Sequence, residues 1–123
     1  MPNRSRFLAF LALGLFFLVT LPAAQGPGFR SRTQLEEHFA KHGAEFGQIS
    51  RDQYLALAQV LRDSPQGRDT LLSERPGGGF AKYDRKSNSF GAYDRDGTIR
   101  SFFKPNDGER YFIRQARIRN RNE

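Results

Sequence analysis

Only two residues of this 123-residue chain carry an imidazole, and they stand four apart, at His38 and His42. Cysteine is absent, so no thiolate nucleophile, thiolate metal site or disulfide framework is open to the chain. On one helix His38 and His42 project from the same side, a spacing that suits metal ligation with Glu45 as a third ligand. The metalloprotease helix needs a glutamate directly after its first histidine, and Phe39 stands there instead. No further His or Cys is present to complete a metal set. The other chemistry open to the pair is proton transfer, because an imidazole titrates near ~6.5. On residue types alone, solvated surface histidines weigh more heavily than either site.

Two further motifs fail their tests. Asp94-Arg95-Asp96-Gly97 begins like a calcium loop, but such a loop places Gly sixth and Glu twelfth, where this segment has Gly fourth and Pro105 twelfth; it reads as a hairpin turn. Gly77-Gly78-Gly79 leads into a strand pattern and not into the helix N-terminus that a phosphate-cradling loop requires, so it reads as a flexible joint. More informative is the interleaving of cations and rings at Lys82, Tyr83, Arg85, Lys86, Arg100, Phe103 and Lys104. Such a surface neutralises phosphates and offers rings for unpaired bases. Its bland counterpart is an aromatic core face backed by a charged solvated face.

The elements that must position these groups follow from periodicity. Thr33-Gln34-Leu35-Glu36 has the form of a capping box, and Leu35, Phe39 and His42 recur at helical spacing, with Phe46 in line. Ser50-Arg51-Asp52-Gln53 opens a second amphipathic helix, where Tyr54, Leu57, Ala58 and Leu61 share a face and Ser64-Pro65 ends it. Leu71 and Leu72 suggest a short third helical turn. From Phe80 the period shortens, and strands are expected at Phe80–Asp84, Ser89–Tyr93, Thr98–Lys104 and Arg110–Gln115. Connections this tight allow hairpins but no crossover helices. Strict alternation in the third strand puts Ile99, Ser101 and Phe103 on one face, and Thr98, Arg100, Phe102 and Lys104 on the other. The expected fold is α+β, with two or three N-terminal helices packed on a four-stranded antiparallel meander.

The first residues have the layout of a cleavable export signal. Arg4 and Arg6 precede an uncharged apolar run, Phe7–Leu21, followed by Pro22 and the small residues Ala23, Ala24 and Gly26. As a helix the run spans ~22 Å, short of a ~30 Å hydrocarbon core, so cleavage near Ala24 or Gly26 is favoured over an anchor. Loss of both leader arginines from 20 Lys+Arg leaves 18 against 13 Asp+Glu, about +5 at neutral pH. The expected organisation is a signal peptide at 1–24, a linker at 25–32, one domain at 33–115 and a basic frayed tail at 116–123. The location expected is the periplasm or the exterior of a bacterium, without stable membrane association after cleavage.

The string Lys41-His42-Gly43-Ala44-Glu45-Phe46-Gly47, with Tyr54 and Leu55 in the helix after it, resembles the start of colicin D-type tRNase toxin domains. These belong to the wider barnase, EndoU, colicin and RelE-like ribonuclease superfamily. Later segments agree in order: Tyr83-Asp84, an Asn88-containing turn, Asp96-Gly97, then Ser101-Phe102-Phe103-Lys104. The resemblance spans roughly Leu35 to Lys104 and implies a metal-independent endoribonuclease with no cofactor. It maps the catalytic acid/base onto His42, a substrate-binding lysine onto Lys41, and a serine and an aromatic of the last long strand onto Ser101 and Phe103. The family's aromatic is often Trp, and here it is Phe103.

Chemically, His42 would take the 2′-OH proton or protonate the leaving oxygen. Lys41 and Lys104 would contact phosphate, Ser101 would donate to a phosphate oxygen, and Phe103 would hold a base. Arg100 and Lys82 are expected as secondary substrate contacts, and His38 as the candidate for the second proton transfer. RNA, tRNA in particular, is the implied substrate, and an acidic immunity protein is the implied partner. The alternative from a different class is a non-catalytic basic domain that binds an anionic or protein partner.

Overall fold

Ser31, not Thr33, starts the first helix. In the computed structural model, which describes residues 26–121, the Ser31 hydroxyl accepts the Gln34 backbone N–H at 3.1 Å, and helix α1 runs Arg32–His42. Glu36, expected to complete a cap with Thr33, instead accepts from Arg32 and Arg51. A 3₁₀ turn, Gly43–Phe46, continues directly from α1. The second cap forms as its sequence indicates: Ser50 Oγ accepts from Gln53 N at 3.1 Å and Gln53 Oε1 from Ser50 N at 2.8 Å. Helix α2 then runs Arg51–Asp63 and buries Tyr54, Ala58 and Leu61 on one side.

Four strands follow: β1 Thr70–Glu74, β2 Phe80–Asp84, β3 Ser89–Tyr93 and β4 Ile99–Phe103. They form an antiparallel meander in chain order. Helix α3, Glu109–Arg121, completes the α+β fold. The expected meander is present with a different membership. Leu71 and Leu72, expected in a helical turn, lie in β1, paired with Tyr83 and Lys82. Arg110–Gln115, expected as the last strand, is helical. The triple glycine is the turn of the β1–β2 hairpin, closed by Arg75 N donating to Gly79 O at 2.7 Å.

Each face of the sheet carries its own core. On one face Phe102, Ile99 and Tyr93 pack with Tyr54, Ala58, Leu61 and Leu35 of the first two helices. The Tyr93 hydroxyl donates to Ala58 O at 2.8 Å and that of Tyr54 donates to Phe102 O. These two buried phenols pin α2 to β3 and β4, and burial pushes both pKa values above the ordinary tyrosine range. On the other face Ala81, Tyr83, Phe90 and Ala92 pack with Phe112 of α3.

A β-bulge decides which β4 side chains face where. Tyr93 pairs with Ile99 but Ala92 with Ser101, leaving Arg100 as the extra residue. Ile99 therefore joins Phe102 on the α2 face, in place of the strict alternation expected from sequence. Ser101 and Phe103 stay together on the α3 face.

The expected linker is also packed from its described part onward: Ile99 N donates to Gly28 O at 2.9 Å, and the buried Arg62 guanidinium donates to Pro27 O. Residues 116–121, expected as a tail, belong to α3. The apolar leader lies outside the described residues. Among those residues no helix is long and apolar enough to cross a membrane.

Candidate functional site

The end of α1 and the end of β4 meet at one carboxylate. His42 is the last residue of α1, and the 3₁₀ turn after it folds Glu45 back beneath the ring. His42 Nδ1 lies 2.7 Å from Glu45 Oε2, and Glu45 Oε1 accepts the Lys104 backbone N–H at 2.8 Å. The chain takes this path because of two glycines. A Cβ on Gly43 would stand 2.5 Å from the Phe39 ring, and Gly47 leaves the turn at φ +93°, a conformation that L side chains rarely adopt. Phe46, between them, anchors the turn by stacking on Phe102 at 4.6 Å between centroids.

The imidazole is held on its flat side as well. Its ring stacks on Phe103 with centroids 5.2 Å apart and planes at 27°. With Nδ1 facing a carboxylate, Nδ1–H is the donor, and the neutral ring leaves Nε2 as the bare acceptor. The side chain is 18% exposed, enough for a substrate atom to reach it. A carboxylate behind an imidazole fixes its tautomer and stabilises the imidazolium that forms when it takes a proton.

His42, Lys41, Ser101, Phe103, His38 and Glu37 line a single open cleft of about 510 Å³. Lys41 is exposed, and no carboxylate pairs with it among the described residues. The Ser101 hydroxyl likewise has no partner among them. His38 lies with its ring 6.4 Å from that of His42 and 4.9 Å from that of Phe29. Burial, and then the neighbouring His42 charge, lower its pKa, while Glu37 acts in the opposite sense. His38 is therefore held toward its neutral form.

Three expected contacts lie elsewhere. Lys82 is buried on the α2 face, where its ammonium donates to the carbonyls of Arg62 and Ser64 at the C-terminus of α2. It caps a helix and does not meet the cleft. Arg100, displaced by the bulge, pairs with Asp94 at 3.4 Å and lines a separate depression with Arg30 and Gln34. The Lys104 ammonium donates to Ser87 O at 2.5 Å and lies 5.2 Å from the Phe46 ring centroid. Lys104 serves the cleft through its backbone N–H on Glu45. Phe103 does line the cleft, but its ring is engaged by His42, Phe90 and Tyr111. It is better described as the seat of the imidazole than as an open platform for a base.

Glu45, which spacing alone offers as a third ligand of a metal site, instead contacts His42 Nδ1 and accepts the Lys104 N–H. The signal was present in the i, i+3 spacing after a helix-ending His-Gly. No group of three or more His, Cys, Asp and Glu among the described residues is arranged to hold a metal ion. No protein-family model matches the chain, and no curated protein is significantly similar to it.

Proposed function

We propose that this protein is an exported, metal-independent endoribonuclease, directed at tRNA, that cleaves by attack of the ribose 2′-OH on the adjacent phosphorus. The observation that carries the reading is the His42 Nδ1–Glu45 contact of 2.7 Å at the wall of a cleft shared with Lys41, Ser101 and His38. The bare Nε2 of His42 takes the 2′-OH proton as the 2′-oxygen bonds to phosphorus. Charge building on the phosphorane oxygens is offset by the Lys41 ammonium and by a hydrogen bond from Ser101. The P–O5′ bond then breaks, and the imidazolium returns the proton to the leaving oxygen, so that a 2′,3′-cyclic phosphate and a 5′-hydroxyl result. His38, whose ring lies 6.4 Å from that of His42, is the other candidate for the second proton transfer, to the leaving oxygen.

Export is supported by the layout of Arg4, Arg6 and the apolar run to Leu21, with small residues after it. The chain's excess of 20 Lys+Arg over 13 Asp+Glu also suits an acidic immunity protein as its guard. The deciding experiment incubates purified protein with total bacterial RNA in EDTA beside His42→Ala. Discrete fragments with cyclic-phosphate ends, absent with the variant, are expected. Intact RNA in the presence of folded protein at high concentration moves the reading to a non-catalytic basic binding domain.

A further inference from the structure

Residues 109–121 contain five arginines and a single carboxylate, a balance unlike a helix face that is merely solvated by mixed charges. Arg110, Arg114, Arg117 and Arg121 recur at intervals of four, three and four. At 100° per residue they fall within about 60° of one another on α3, along ~16 Å of its axis. The first turn of α3 is packed on the sheet away from this stripe, with Phe112 buried against Tyr83 and Tyr111 packed on Phe90 and Phe103. Glu109, the only acid of the helix, is held by Arg85. Arg114 pairs with Asp107, while no carboxylate among the described residues pairs with Arg110, Arg117 or Arg121. Arg114, Arg117 and Arg121 line a shallow groove of about 500 Å³ with Ile118.

This stripe is continuous with the His42 cleft. The imidazole stacks on Phe103, the Phe103 ring meets Tyr111 at 5.3 Å, and the Arg114 guanidinium lies 5.9 Å from the Tyr111 centroid. We infer that the arginine face of α3 is the track for the RNA backbone that flanks the scissile phosphate, an extension that rests on the nuclease reading above. A polyanion seated over His42 is led across Tyr111 onto a row of guanidinium groups, each able to bond a phosphate through two N–H groups. An anionic membrane fits less well. A helix lying in an interface needs a broad apolar face, and here Tyr111 and Phe112 are spent on the sheet, leaving Ile113 and Ile118 as the exposed large apolar residues described beside the stripe.

The test measures binding of a fluorescent single-stranded RNA to His42→Ala protein, which cannot consume it, across a salt series. Each phosphate contact on a single strand contributes ~0.7 to the slope of log K against log salt. The added triple change Arg110→Gln, Arg117→Gln, Arg121→Gln, which spares the Asp107 pair, is expected to lower the slope by about 2 and to weaken binding at least about tenfold at moderate salt. Arg32→Gln, Arg68→Gln, Arg95→Gln, the same charge loss placed elsewhere, is expected to leave most of the slope. In the cleaving protein the α3 variant is expected to raise KM while leaving kcat.

Unchanged slope and KM in a folded α3 variant overturn the track, as does an equal loss from the control. Persistent RNA cleavage in either case keeps the nuclease reading. Loss of binding to phosphatidylglycerol vesicles with RNA binding intact reassigns the stripe to a membrane and overturns the track. Wild-type protein that neither binds nor cuts RNA removes both readings.

Discussion

Replacing Glu45 by glutamine tests the proposed chemistry at a single pair of atoms. The carboxylate has two tasks: it accepts from His42 Nδ1 at 2.7 Å and from the Lys104 N–H at 2.8 Å. A glutamine cannot keep both. If its carbonyl oxygen stays on Lys104 N, its amide N–H₂ faces Nδ1, which must then be bare, and the ring proton moves to Nε2. If the amide turns over, the oxygen keeps His42 in its working tautomer but places an N–H₂ donor against the Lys104 N–H donor. The first arrangement satisfies every donor and acceptor and should prevail. Nε2 then carries a proton and is no longer a base. The expected loss in kcat is ~10²–10⁴, the scale of removing a general base or misplacing its tautomer. That corresponds to about 3–5.5 kcal/mol of barrier.

Stability should change little. The pair is partly exposed, and its loss is worth about 1 kcal/mol at most. The assay is single-turnover cleavage of a tRNA, together with the nitrogen chemical shifts of the His42 ring. The shifts should show Nδ1 protonated in the wild type and Nε2 protonated in the variant. Cleavage within threefold of wild type, with Nε2 still bare, would refute the assignment of Glu45.

Lys82→Met should cost about 1–3 kcal/mol, because the Arg62 and Ser64 carbonyls lose a buried donor, yet leave RNA cleavage intact; denaturant titration and the cleavage assay read the two halves. Gly47→Ala should cost about 1–3 kcal/mol from its φ of +93° and should lower cleavage more than Lys82→Met does, since it leads out of the turn that carries Glu45. Because the His38 pKa is lowered in the folded state, the unfolded chain binds more protons below about 6.5. The stability contribution of His38 is therefore complete above that pH and lost as pH falls through the folded value. Unfolding midpoints measured from pH 7.5 to 5 should fall less steeply in His38→Gln, and identical profiles would remove this account.

What was legible in the sequence was what local chemistry determines. The Ser50–Gln53 box and the Tyr54, Ala58, Leu61 spacing mark α2, and both depend on residues only three or four positions apart. The strands at Phe80, Ser89 and Ile99 are marked by their turns. The failures share a cause, in that tertiary contacts outvoted propensity. Arg110–Gln115 holds Tyr, Phe and Ile, residues that favour strands. Its helical period emerges only when the arginines out to Arg121, which by composition read as a tail, are included. Leu71 and Leu72 have no polar partner pattern to reveal a strand, and their pairing with β2 comes from a hairpin whose Gly-rich turn reads as a joint.

The site illustrates the same division more sharply. His42, Lys41, Ser101, Phe103 and His38 line one cleft, and it is the resemblance, not spacing, that names the first four together. The residue that organises the histidine, however, acts through a three-residue fold-back that spacing alone does not distinguish from a ligand set. Lys82 and Lys104 show the converse. A lysine near an aromatic in sequence suggests a phosphate contact, but each of these ammonium groups is drawn to a backbone carbonyl. In a chain without disulfides, the cations nearest the sheet are used to close helix ends and turns. Lys41 at the cleft and Arg110, Arg117 and Arg121 of α3 have no such duty among the described residues, which leaves them open to the polyanion we propose. A substrate contact predicted from charge alone should first be tested for a nearby carbonyl that has a prior claim on it.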